Sequence, residues 1–172
     1  MRYVELRRHT DNDGDRLTEQ GITDAEALGR DTLSPPYAAF VSSGAARATE
    51  MLTILQRAAD QTEVPITLEH GLRSAVEDRW RAASKAAGKG ASLEGMRAVD
   101  ADLVEQEARL LGTALGRVLH ALPDGGRALI VGHSPTNEAA VLGLTGQEIG
   151  PMSKGAGVLI IEDDGRYTVD PL

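Results

Sequence analysis

Ala128-Leu129-Ile130-Val131-Gly132-His133-Ser134-Pro135-Thr136 opens with an unbroken apolar run and ends in polar residues. Four apolar residues without polar alternation suit a strand buried on both faces, as in the middle of a parallel sheet. Pro135 then falls in the first turn of an expected helix over about 135–144, where proline is well tolerated. A buried strand that feeds a helix is the building unit of an α/β domain.

The pattern extends in both directions. Upstream, Val104, Ala108, Leu111, Leu115, Val118 and Leu122 recur at three- and four-residue steps, predicting a core-facing helix over 102–122. Pro123-Asp124-Gly125-Gly126 ends it. Downstream, 158–161 and 167–169 flank Glu162-Asp163-Asp164-Gly165-Arg166, a hairpin turn. Toward the N-terminus, Tyr3 to Leu6 reads as a first strand and Asp11 to Asp15 as a loop. A helix is expected over 18–33, with Thr23 and Glu26 as a capping box one turn inside it and Pro35-Pro36 as its stop. Strand 39–41, helix 46–59 and strand 64–68 follow. Residues 71–90 are helical in composition but weakly periodic, with Gly88-Lys89-Gly90 as a break. No repeat or linker interrupts the chain. The expectation is one α/β domain over 1–172: a three-layer sandwich, with a mostly parallel central sheet, helices on both faces and an antiparallel edge hairpin.

Composition narrows the function. At 172 residues with 41% hydrophobic content the chain can bury a core, although only 3% is aromatic, so Leu, Val, Ile and Ala must fill it. The net charge of −8 argues against a broad nucleic-acid face, so an anion site would be a local basic spot. The absence of cysteine removes disulfides, thiolate catalysis and cysteine-based zinc sites. No signal-type or membrane-spanning apolar stretch is present, which makes the cytoplasm the expected compartment and a membrane partner unexpected.

Three expected strand ends carry histidine or arginine. Arg8-His9 follows the first strand, Ser42-Ser43-Gly44-Ala45-Ala46-Arg47 the second, and Gly132-His133 the strand at 128–131. Ligands of open α/β sheets bind beyond the carboxyl ends of the strands. Two of these segments also open helices, whose N-terminal amides favour anions. Two guanidinium groups can orient a phosphoryl dianion through paired hydrogen bonds. One imidazole can attack phosphorus, and a second, if protonated, can stabilise the transition state. A leaving group also needs a proton.

Other chemistries fit less well. No His-x-His or His-Glu-x-x-His spacing supports a metal site. Residues 132–136 end in Thr136, where a nucleophile elbow needs glycine, and Gly88-Lys89-Gly90 lacks the spacing of a phosphate-binding loop. His70 and His120 read as structural or solvated, and Arg7 points to the opposite side of its strand from Arg8.

The motifs resemble those of the histidine phosphatase superfamily, the phosphoglycerate mutase-like proteins. Its Arg-His-Gly opening is similar to Arg8-His9-Thr10, and its Asp-x-x-Leu-Thr-x-x-Gly segment to Asp15-Arg16-Leu17-Thr18-Glu19-Gln20-Gly21. Its Arg-Ala-x-x-Thr segment is similar to the run from Ser42 through Arg47 to Glu50, and its Val-Gly-His motif to Val131-Gly132-His133. The match is weakest over 69–102, and the short first loop is closest to the small phosphohistidine-phosphatase branch. The resemblance implies that His9 is the nucleophile and that Arg8, Arg47 and His133 complete the phosphate pocket. Arg16, Thr10 and Ser134 would add substrate contacts, and no metal or organic cofactor would be required. A small phosphorylated molecule or a phosphohistidine protein would be the partner. Thr10 replaces the usual glycine, which puts backbone access to the phosphate in question. Leu72-Arg73-Ser74 has serine where the resemblance implies an acidic glutamate. Glu77 is the first choice to replace that acid, ahead of Asp78 and Glu69. A non-catalytic phosphate-ligand or phosphoprotein binder and a mutase-type phosphotransferase are the competing readings.

Overall fold

A computed structural model describes all residues, 1–172. Six strands form one sheet: β1 (Arg2–Arg8), β4 (Ala39–Ser42), β5 (Ile66–Leu68), β6 (Arg127–Gly132), β7 (Gly157–Asp163) and β8 (Arg166–Pro171). Their spatial order is β5-β4-β6-β1-β7-β8. The first four run parallel, and β7 and β8 form the antiparallel edge hairpin. β6, the run that decided the fold, is inserted between β4 and β1.

Alternation along the strands divides the core. Val4, Leu6, Ala128, Ile130, Val158 and Ile160 face α3 (Glu77–Ala87), α4 (Leu93–Val99), α5 (Ala101–Ala121) and α6 (Thr136–Thr145). Phe40, Leu129 and Val131 face α1 (Glu19–Asp31) and α2 (Ala46–Ala58). Helices therefore cover both faces, as expected. No helix is long and apolar enough to cross a membrane.

Several local expectations change. The helix at 19–31 is capped by Thr18, whose hydroxyl accepts from the Gly21 amide, and not by a box at Thr23 and Glu26. The cap lies at the chain's entry to the helix, where amides lack partners, and Thr23 is already inside. The loop after β1 contains a small hairpin, β2 (Asn12–Asp13) with β3 (Arg16–Leu17). The weakly periodic stretch at 71–90 splits into a 3-10 turn, His70–Leu72, and α3, with Ser74 in the irregular link. Helix α4 follows, capped by Ser92, whose hydroxyl accepts from the Gly95 amide.

Candidate active site

Sheet register brings the three strand ends together. Arg8 pairs with Gly132 and Ser42 with Val131, so the residues that follow leave the sheet side by side. Asn137, one turn into α6, ties two of these ends. Its Oδ1 accepts from the His133 amide at 3.2 Å, and its Nδ2 donates to the Arg7 carbonyl at 3.1 Å. The buried rings of His9 and His133 meet edge to face, with centroids 5.3 Å apart.

His9 is held in one tautomer. Its Nδ1 lies 2.8 Å from the Thr10 carbonyl, which can only accept, so Nδ1 carries the proton. The lone pair is then on Nε2, which faces Arg47 Nε at 3.3 Å. Burial, joined by the charges of Arg47 and Arg8, pushes the His9 imidazole down to about 4, so it is neutral and nucleophilic at pH 7. His133 is pushed down to about 3, again chiefly by burial and next by Arg47. It therefore enters as a neutral imidazole and not as the protonated one considered from sequence. Ser43 Oγ holds its Nε2 at 2.6 Å.

Arg47 lies in the first turn of α2, whose N-terminus carries no capping side chain of its own. Asp15, from the turn of the β2–β3 hairpin, supplies an anion there. It accepts from the Arg47 amide at 3.2 Å and from Nη1 at 2.9 Å. Gly44, at φ +97°, lets the chain turn from β4 into α2; a Cβ would lie 2.6 Å from the His70 ring. His70 thus packs beside the site without entering the pair of histidines.

A pocket of about 220 Å³ opens beside this cluster, lined by Arg47, Ser74, Glu77, Trp80, His133 and Ser134 among others. His9 adjoins it through Arg47 and His133. A larger hollow of about 550 Å³ lies elsewhere, lined by Arg7, Thr10, Thr32 and Lys154 among others, and holds neither histidine nor Arg47. Arg47 and His133 thus border the smaller one alone.

The remaining expected site residues separate. Arg8 lies on the α6 side of β1; its Nη1 donates to the Met152 carbonyl at 2.9 Å, and its buried Nε has no protein partner. Burial lowers the Arg8 guanidinium, offset in part by the Glu138 carboxyl. Arg7 turns to the opposite side, to Gly155 and Thr32. Ser134 lines the pocket and donates to Glu138 at 2.6 Å. Thr10 does not offer its side chain to the pocket. It is buried, and its hydroxyl donates to the Gly21 carbonyl at 2.7 Å, so it points toward α1. Arg16 is 83% exposed and lies 3.7 Å from Glu50, because the hairpin turns it outward. Of the acid candidates, Glu77 lines the pocket but pairs with Arg73 at 2.8 Å. Asp78 pairs with Arg81 at the surface, and Glu69 pairs with Arg117 at 3.0 Å.

Two buried carboxylates beside the site were missed. Glu107 on α5 accepts from Trp80 Nε1 at 3.1 Å and is hydrogen-bonded to Ser74. Its sequence signal was its position, three residues after Val104 and four before Leu111, on the apolar stripe. Glu138 sits in the buried first half of α6, and burial pushes its carboxyl up to about 7. No group of three or more His, Asp or Glu residues is placed to hold a metal ion.

Solved structures share this architecture over nearly the whole chain. Phosphoglycerate mutase from Bacillus anthracis superposes with a TM-score of 0.76 at 21% identity, covering 99% of this chain and 92% of that one. The chain has the phosphoglycerate mutase-like fold. Mycobacterial glucosyl-3-phosphoglycerate phosphatase gives 0.69 at 16% identity, with 99% and 98% covered. A protein assigned as the phosphohistidine phosphatase SixA, from Agrobacterium tumefaciens, gives 0.59 at 18% identity, with 99% and 97% covered. No protein-family model matches the sequence, and no curated protein matches it. The phosphoglycerate mutase-like fold thus serves a mutase and phosphatases alike, and the reaction must be argued from this chain's own residues.

Proposed function

We propose that the protein is a metal-independent phosphatase that hydrolyses a phosphomonoester or a phosphoramidate through a phosphohistidine on His9. The observation that carries this reading is the fixed tautomer of His9, with Nδ1 bound to the Thr10 carbonyl and Nε2 turned to Arg47, beside the His133 ring.

The reaction divides into two displacements. The Nε2 lone pair of His9 forms the bond to phosphorus as the bond from phosphorus to the leaving oxygen or nitrogen breaks. Arg47 neutralises the phosphoryl oxygens, and Arg8 adds its charge from the α6 side of β1, where it already acts on His9. His133 lies beside His9 with Nε2 held by Ser43, and a phosphoryl dianion there favours its protonation. Water then attacks phosphorus, the bond to His9 breaks, and phosphate leaves. A small phosphorylated molecule or a phosphohistidine protein is the substrate class, and the cysteine-free, acidic chain suits the cytoplasm.

The test is turnover of p-nitrophenyl phosphate and phosphoramidate, with and without EDTA. Activity is expected to survive EDTA and to fall at least ~10³-fold in His9→Ala, as nucleophile removal does. Full activity in that variant, or complete loss in EDTA, refutes the proposal. A second reading, a phosphate-ligand binder without turnover, draws on Ser74 at the expected acid's place and on the engagement of Glu77 with Arg73. It predicts vanadate binding but no hydrolysis of either substrate.

A further inference from the structure

Arg7 leaves β1 on the face opposite Arg8 and is 3% exposed, yet it forms no ion pair. Glu5, two residues back on the same face, acts on it through space but is committed to Tyr37 and Arg127. A guanidinium carries five N–H donors. Here one is bonded to the Gly155 carbonyl at 3.3 Å and one to the Thr32 hydroxyl at 3.0 Å, and the buried Nε has no protein partner. A buried charge is costly unless it is paired, so this position favours an added anion.

That guanidinium borders the hollow of about 550 Å³ between α1 and the stretch before β7. The volume is within the range of small-ligand sites. Lys154 adds a second cation at the rim, where it pairs with Asp11 at 2.9 Å. Ala27, Leu28, Ala156 and Leu172 give the hollow an apolar wall. Asp24 and Asp31 also border it. Both are exposed, so water weakens their field, and they oppose a dianion more than a single charge. A carboxylate on an apolar chain therefore suits the hollow better than a phosphate does. The hollow also adjoins the nucleophile. The Gly155 amide donates to the carbonyls of Arg8 and His9 at 3.1 and 3.3 Å, while its own carbonyl holds Arg7. The phosphoryl pocket shares none of the hollow's lining residues.

We propose that this hollow is a second binding site, for a small amphipathic monocarboxylate. Its carboxylate accepts from the uncommitted N–H groups of Arg7, and its chain lies along Leu28 and Ala156. Through Gly155, the occupied site bears on the backbone that carries His9.

The probe is sodium hexanoate, titrated into isotope-labelled protein and followed by amide NMR. Saturable shifts centred on Leu28, Lys154, Gly155 and Ala156 are expected, with a Kd of about 1 mM for a ligand of so few atoms. Hexylamine and hexanol have the same chain without the carboxylate, and should bind at least about tenfold more weakly. Arg7→Met keeps an unbranched side chain in the interior and should weaken hexanoate at least about tenfold, as loss of charge-assisted hydrogen bonds does. Ala27→Trp, at a half-buried helix position, puts an indole into the hollow and should abolish saturation. It decides the matter even if Arg7→Met does not fold.

The absence of saturable shifts, shifts centred on Arg47 and His133, equal binding of hexylamine, or undiminished binding in Ala27→Trp overturns the proposal. None of these outcomes bears on the turnover of phosphate esters, so the phosphatase reading stands or falls separately.

Discussion

Arg47 shows what a single side chain must satisfy here. Its Nε faces the lone pair of His9, its Nη1 holds Asp15, and its own amide binds the same carboxylate. A planar fork can serve several acceptors at fixed angles, and an ammonium cannot. Arg47→Lys is therefore expected to lower kcat/KM for p-nitrophenyl phosphate by about 30-fold, equivalent to about 2 kcal/mol for charge-assisted hydrogen bonds. Steady-state kinetics with an unchanged melting curve would establish it; a loss below about threefold would show that charge alone suffices. Thr10 makes the converse point. Its identity raised the question of phosphate access, and its hydroxyl answers by bonding to Gly21, so the side chain leaves the pocket clear. What this residue contributes to the site is its carbonyl, which any amino acid would supply and which no sequence pattern marks.

At the scale of elements, the placement of α6 governs the second histidine. The helix begins three residues after His133, and Asn137 on its first turn ties β6 to β1. It packs on α5 where Gly143 meets the Ala108 carbonyl; a Cβ at Gly143 would lie 1.7 Å from that oxygen. Backbone cannot yield as a flexible side chain does, so α6 must shift as a whole. Gly143→Ala is expected to lower Tm by about 4–8 °C, from an overpacking cost of about 2 kcal/mol in a chain of this size. Helix propensity alone would give the opposite sign, a gain of up to about 1 kcal/mol, so differential scanning calorimetry separates the two. The elements legible in sequence were those with strong periodicity or an unbroken apolar run, such as α5 and β6. The stretch at 71–90 was not, because only Trp80 and Ala83 of α3 are buried, leaving too few apolar positions to set a period.

Across the whole molecule, the site costs stability in a pH-dependent way. His9 and His133 titrate at about 4 and about 3 in the folded chain, against 6.5 in a solvated one. The unfolded chain therefore takes up protons that the folded chain refuses, so stability is fully present above about 6.5 and is lost as pH falls through that window. Glu138 acts with the opposite sign. Its carboxyl is raised from 4.5 to about 7 by burial, so the folded chain keeps a proton that the unfolded chain releases. That group's contribution is present below about 4.5 and lost as pH rises to about 7. Glu138→Gln should thus gain in Tm relative to its parent as pH rises from about 5 to about 8, read by thermal melts across that range. A difference that is flat with pH would show that Glu138 is not held protonated. The amino-acid sequence by itself determined the layered α/β architecture, because an apolar run, a helical stripe and a turn are local patterns that each impose one way of burying apolar surface. It also set His9, Arg47 and His133 at strand ends. Only the tertiary structure decided which way each side chain points. Arg16 is turned outward, Thr10 toward α1 and Glu77 onto Arg73, while Ser74 and Glu107, 33 residues apart, are joined at the pocket wall. Packing between elements distant in the chain fixes those directions, and residue spacing carries no record of it.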